Sequence, residues 1–133
     1  MSSNNAFREV LEERVLVFGA NVLNALHNIP EVSAFRVVSY QLAKSATSMG
    51  ANYSEANHSE SVDDFVHKIS IVVKEAKETL FWLGMIERVN FLTDEQKSSF
   101  VDLKNEAGQL FALFLTSQRT VRERKLSKDR IDT

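Results

Sequence analysis

Apolar residues along the chain recur at spacings of three and four, the repeat that lines one face of an α-helix. Phe7, Leu11, Val15, Phe18, Val22, Leu26 and Ile29 form the first such stripe. Pro30 ends it, because proline lacks the amide donor and restricts the residue before it. A second stripe opens near Ser33 with Phe35, Val38, Leu42, Ala46, Met49, Tyr53 and Ala56, then fades into the polar run Asn57-His58-Ser59-Glu60. The third begins at Ser61, whose hydroxyl can cap a helix, while Asp63 and Asp64 put negative charge where the helix dipole is positive. Its inward positions are Phe65, Ile69, Val72, Ala76, Leu80 and Leu83. Thr93-Asp94-Glu95-Gln96 has the spacing of a capping box, and Phe100, Leu103, Ala107, Leu110, Phe114, Ser117 and Val121 follow with one polar break.

Four such segments of about 20 to 28 residues, each roughly 30 to 42 Å long and joined by short connections, predict neighbours that run antiparallel. The expected fold is all-α, an up-down-up-down four-helix bundle, with residues 1–133 as a single domain and 119–133 as a basic C-terminal extension. Two helices carry more apolar surface than a monomer needs. Stepping about 100° per residue from Phe65 places Ile71, Phe81, Trp82, Met85 and Val89 opposite the inward stripe. Leu16, Ala20 and Leu23 form a second line on the first helix. Clustered exposed apolar residues mark interaction surfaces, although the Lys74, Lys77 and Arg88 stems could cover the rings. Self-association through Leu16, Leu23, Ile71, Phe81, Trp82 and Met85 is the expectation.

Composition narrows the chemistry. The chain has no Cys, which excludes disulfides, thiolate metal sites and cysteine nucleophiles. Four Gly and one Pro are too few for a turn-rich β fold or a glycine-rich phosphate loop. No apolar run approaches the ~18 residues that span a membrane. The start, Met-Ser-Ser-Asn-Asn, lacks the basic and apolar parts of a secretion signal, so the expected location is cytoplasmic. A formal charge of −2 argues against a uniformly basic nucleic-acid binder, but it is unevenly spread. Residues 1–118 hold 10 basic and 15 acidic groups, a balance of −5, whereas residues 119–133 hold 6 and 3, a balance of +3.

Motifs for catalysis and metals are weak. Glu55-x-x-His58 and Asp64-x-x-His67 have the spacing that supplies two ligands in ferritin-like bundles, yet the inward stripes of the first and fourth segments contain no carboxylate to complete a site. Ser45 or Ser48 with His58 or His67 lacks both a nucleophile elbow and an orienting partner. No enzyme activity, metal or cofactor is therefore expected. The second segment is more unusual: Ser45, Thr47, Ser48, Gly50, Ala51, Asn52 and Ser54 are small or polar and mostly mediocre helix formers. Tight packing plus a hydrogen-bonded polar contact is the reading favoured over a ligand site.

The run from Gln41 to Ala56, QLAKSATSMGANYSEA, followed by Asp64-Phe65-Val66-His67-Lys68-Ile69 and by residues 75–83, EAKETLFWL, resembles the bacterial four helix bundle protein family. That family includes small proteins encoded within intervening sequences of large-subunit ribosomal RNA genes, at times labelled ribosomal proteins. The accessory variability protein of diversity-generating retroelements is a more distant relative. The resemblance spans about residues 10 to 118 and is most specific in its middle. It implies a bundle that assembles as a ring, a pentamer with a central pore, and Gln41, Ser45, Ser48, Asn52 and Glu55 match its signature positions. A closed ring needs two different complementary patches, which the two extra apolar stripes could supply.

Two partner classes follow. One is RNA or a nucleoprotein, met by Arg119, Arg122, Arg124, Lys125, Lys128 and Arg130, a cluster that ring symmetry would multiply. Against it, no aromatic residue is interleaved within that segment to stack on bases. The other is a protein partner docked on Phe81, Trp82 and Met85, which would make the chain an interaction scaffold.

Overall fold

The computed structural model describes the backbone from Ser3 to Asp132 and the side chains of residues 5–130. It contains four α-helices, α1 (Ser3–His27), α2 (Ser33–Asn57), α3 (Val62–Arg88) and α4 (Asp94–Asp132), and no strand among the described residues.

Local chemistry fixes several of these boundaries. The Ser61 hydroxyl accepts from the Asp64 amide at 3.0 Å, satisfying one of the orphan donors at the start of α3. At the start of α4 both halves of the capping box form: the Gln96 amide donates to the Thr93 hydroxyl at 3.1 Å, and the Thr93 amide donates to the Gln96 side-chain oxygen at 2.8 Å. No side chain caps α2; the Phe35 and Arg36 amides both donate to the Val32 carbonyl instead. The Lys97 ammonium reaches across from α4 to the Glu87 and Val89 carbonyls, neutralising the negative end of α3.

In the packed structure α1 and α3 each lie against both α2 and α4, while the backbones of α1 and α3, and those of α2 and α4, do not approach. One continuous core fills the space between, contributed by Leu11, Val15, Phe18 and Val22 from α1, Leu42 and Met49 from α2, Ile69, Val72, Leu83 and Ile86 from α3, and Leu110 and Phe114 from α4. Tyr53 and Phe114 meet within it with ring centroids 4.9 Å apart. No described helix is long and apolar enough to cross a membrane.

The helices depart from the periodic pattern in five places. Phe7, expected on the inward stripe, is exposed. α1 ends at His27, and Ile29 plugs the core from the following turn, its amide donating to the Leu26 carbonyl. Thr79 is fully buried while Leu80 is only half-buried, and Gln118, not Ser117, faces inward on α4. The largest departure is length: α4 runs for 39 residues, about 58 Å, and carries the basic segment within it. That segment has no Gly or Pro and is rich in Arg and Lys, which are good helix formers.

Candidate nucleic-acid interface

Beyond Phe114 the fourth helix leaves the core. Gln118 is the last buried residue of α4 among the described residues, and its amide donates to the Ser70 hydroxyl of α3 at 3.1 Å. The Arg122 guanidinium donates to the same oxygen at 3.3 Å, and Lys125 forms an ion pair with Asp63 in the first turn of α3. That carboxylate raises the Lys125 pKa. Residues 126–132 therefore continue about 10 Å past this level. Arg119, Arg122, Arg124, Lys128 and Arg130 are exposed and Lys125 is half-buried.

These six cations do not share one patch. Arg124, Lys125 and Lys128 line a groove of about 790 Å³ together with Val121, Asp129, the α2–α3 connection and Phe65; Arg119, Arg122 and Arg130 do not line it. Arg8 of α1 completes the groove, its guanidinium carbon 5.5 Å from the centroid of the Phe65 ring. Arg8 and Phe65 lie more than 50 residues from the basic segment in sequence, so no local pattern points to them. Only the packing that brings the starts of α1 and α3 beside the end of α4 does.

The polar stretch of α2 from Gln41 to Glu55 is engaged within the fold. The buried Ser45 hydroxyl donates to the Leu42 carbonyl at 3.3 Å and lies 2.9 Å from the Thr79 hydroxyl, which also reaches the Glu75 carbonyl at 2.8 Å. The Asn52 amide donates to the Ser48 carbonyl at 2.8 Å, and Gln41 and Ser48 are half-buried. Glu55 binds Lys68 at 2.7 Å and raises the lysine's pKa. On the other side of α2, Glu12 accepts from Ser54 at 2.6 Å and from Asn57 at 3.1 Å; these two bonds hold its carboxyl below the usual range. The His58 ring lies 2.9 Å from the Ser54 carbonyl, to which its Nδ1–H can donate, and His67 is exposed. Among the described residues, no three His, Asp or Glu side chains gather as a metal site would require.

Of the apolar residues singled out for self-association, Leu16 (66% exposed), Leu23 and Phe81 (58%) are open to solvent. Ile71 is half-buried, and Trp82 and Met85 are half-buried against the core edge, because α3 is flanked by two helices and buries a wide arc. Phe81 meets Trp82 edge-on, at 4.9 Å and 85°. Since α1 and α3 are not neighbours, Leu16 and Leu23 occupy a different side of the molecule from Phe81.

The family model described as 23S rRNA-intervening sequence protein matches residues 13–112, about three quarters of the chain. The chain belongs to that family. The intervening sequence protein match includes the whole run from Gln41 to Ala56 and stops short of every residue of the basic segment. Among solved structures, the chain is similar to a protein of unknown function from the S23 ribosomal protein family of Bacteroides thetaiotaomicron. The two are 30% identical over 84% of this chain and 97% of that one, with a TM-score of 0.71. None of the curated proteins matches the chain.

Proposed function

We propose that this intervening sequence protein is a non-enzymatic oligomeric module that binds RNA or a nucleoprotein through the basic end of α4. The observation that carries the reading is the continuation of α4 as one helix to Asp132, which holds the +3 segment at one end of an otherwise acidic domain. A helix fixes cations in space where a loose tail would not, and phosphate contacts made this way are strongly salt-dependent. Anisotropy titration with a structured RNA at about 50 and 200 mM salt, with and without residues 119–133, tests it. Loss of salt-dependent binding on truncation is expected; unchanged affinity overturns the role of the segment.

The architecture we infer is an antiparallel up-down-up-down bundle forming a single cytoplasmic domain. Pairings of early residues of one helix with late residues of the next support it, such as Glu12 with Ser54, Glu55 with Lys68 and Ser70 with Gln118. We also infer a cyclic homo-oligomer, a pentamer by resemblance. Its support is the placement of Leu16 and Leu23 on one side and Phe81 on another, as head-to-tail closure requires. Light scattering at micromolar concentration should give a mass several times that of one chain, and Phe81→Glu should lower it. A monomeric wild type overturns the ring. The scaffold reading keeps one observation of its own, the exposed Phe81 set edge-on against Trp82, and predicts recovery of a protein partner that resists nuclease.

A further inference from the structure

The basic segment alone offers no base-stacking surface, since residues 119–133 contain no aromatic. The fold supplies one from elsewhere. Phe65 lines the same groove as Arg124 and Lys128, and the Arg8 guanidinium lies against its ring. We propose that this groove is a site for single-stranded RNA, in which one base stacks on the Arg8–Phe65 pair and Arg124 and Lys128 hold the adjoining phosphates. The proposal rests on the nucleic-acid reading above and specifies where and how the strand would sit.

The balance of charge decides for stacking. Lys125 is neutralised by Asp63, leaving Arg8, Arg124 and Lys128 against Glu60 and Asp129, a surplus of one positive charge. So small a surplus gives weak attraction for a phosphate backbone by itself, and it cannot compete with uniformly basic grooves. The outer plane of the Arg8 guanidinium, backed by the Phe65 ring over which it lies, adds a stacking surface that every unpaired base can use. Bases within a duplex have their faces covered by their neighbours, so the platform selects for single strands. The location has a further consequence. Arg124 and Lys128 lie outside residues 13–112 and Phe65 lies inside, so the matched part supplies the platform and the extension supplies the cations.

The test is anisotropy titration of the full chain with a fluorescein-labelled single-stranded RNA of roughly 10 nucleotides, and with its duplex, across about 50 to 200 mM salt. Phe65→Leu keeps an apolar side chain and removes only the ring that backs the Arg8 guanidinium. It should weaken single-strand binding at least about fivefold while the slope of log affinity against log salt stays the same. Arg124→Gln with Lys128→Gln should instead reduce that slope by about 1.4, near 0.7 for each phosphate that is no longer neutralised. Arg8→Gln, at an exposed position, repeats the stacking test independently of any effect of Phe65→Leu on folding, which thermal melting would reveal. Wild-type affinity in Phe65→Leu and Arg8→Gln, or equal binding of duplex and single strand, overturns the groove while leaving the basic end intact. No binding of RNA by the wild type overturns both.

Discussion

The middle of α2 and the last third of α4 are both rich in polar side chains, and they use them in opposite ways. In α2, Ser45, Asn52, Ser54 and Glu55 each make a hydrogen bond or ion pair within the protein, three of them to neighbouring helices through Thr79, Glu12 and Lys68. In α4, Arg124 and Lys128 face a groove open to solvent, and Arg119 stands exposed beyond the core. The family match ends before the second region and contains the first. Polar residues inside the family-matched part thus serve helix packing here, whereas those with no place in the core are the ones available to a ligand.

Gly50 gives the strongest way to break this contrast. A Cβ placed there would lie 2.8 Å from a Val15 methyl, so α1 and α2 can approach as they do only because the position has no side chain. Val15 is itself buried and β-branched, with little freedom to move aside. Gly50→Val should cost roughly 2–3 kcal/mol in urea unfolding, as overpacking does. Gly108→Ala on α4 should instead gain up to about 1 kcal/mol, since nothing lies within 4 Å of its added methyl. Equal effects at the two glycines would mean that α2 is no more tightly packed than α4. A smaller effect is expected at Thr79. Thr79→Val keeps the shape and removes the hydroxyl that meets Ser45, for a loss of about 1 kcal/mol measured the same way.

How far the sequence discloses the molecule differs between the two regions for a physical reason. Capping and periodicity act over three or four residues, so the hydroxyl cap at Ser61, the box at Thr93 and Gln96, and the α2 stripe from Phe35 to Ala56 are all legible in the chain. Three-dimensional neighbours are not. The Arg8–Phe65 pair depends on which ends of α1, α3 and α4 come together, and the half-burial of Trp82 and Met85 depends on how widely neighbouring helices wrap α3. Gln118 shows the same limit within a single helix: the three-four alternation points to Ser117, and the partner Ser70, 48 residues away, draws Gln118 inward instead. The length of α4 is hidden for another reason, since charged residues without an apolar stripe give no periodic signal while still favouring helix.

Acid titration separates the same regions by charge. Hydrogen bonds from Ser54 and Asn57 lower the pKa of Glu12, and the Arg14 guanidinium, bound at 2.7 Å, lowers that of Glu106. A carboxylate whose pKa is depressed by folding contributes stability that is complete above its ordinary value near 4.5 and is lost as pH falls through the depressed one. Unfolding free energy should therefore decline below that ordinary value, and Glu12→Gln or Glu106→Gln should flatten the decline. Burial and the neighbouring Glu78 raise the pKa of Glu75, so Glu75→Gln should act in the reverse sense, slightly stabilising the protein at neutral pH. An acid limb unchanged in the Glu12 variant would show that its bonds to α2 contribute nothing.

Truncation after Gln118 should have the smallest effect on folding and the largest on binding. It leaves Phe114 and Gln118 in place and removes the Arg122 bond to Ser70 and the Lys125 pair with Asp63, both of which involve exposed or half-exposed side chains. Interactions of that kind are screened by water and salt and contribute little to stability. The thermal midpoint should fall by less than in Thr79→Val, while RNA affinity and its salt dependence should drop together. A loss as large as that of Gly50→Val would make the end of α4 a structural brace against α3 and erase the distinction between the two regions. A small loss of stability with full retention of RNA binding would keep that distinction but move the binding surface onto the family-matched part of the molecule.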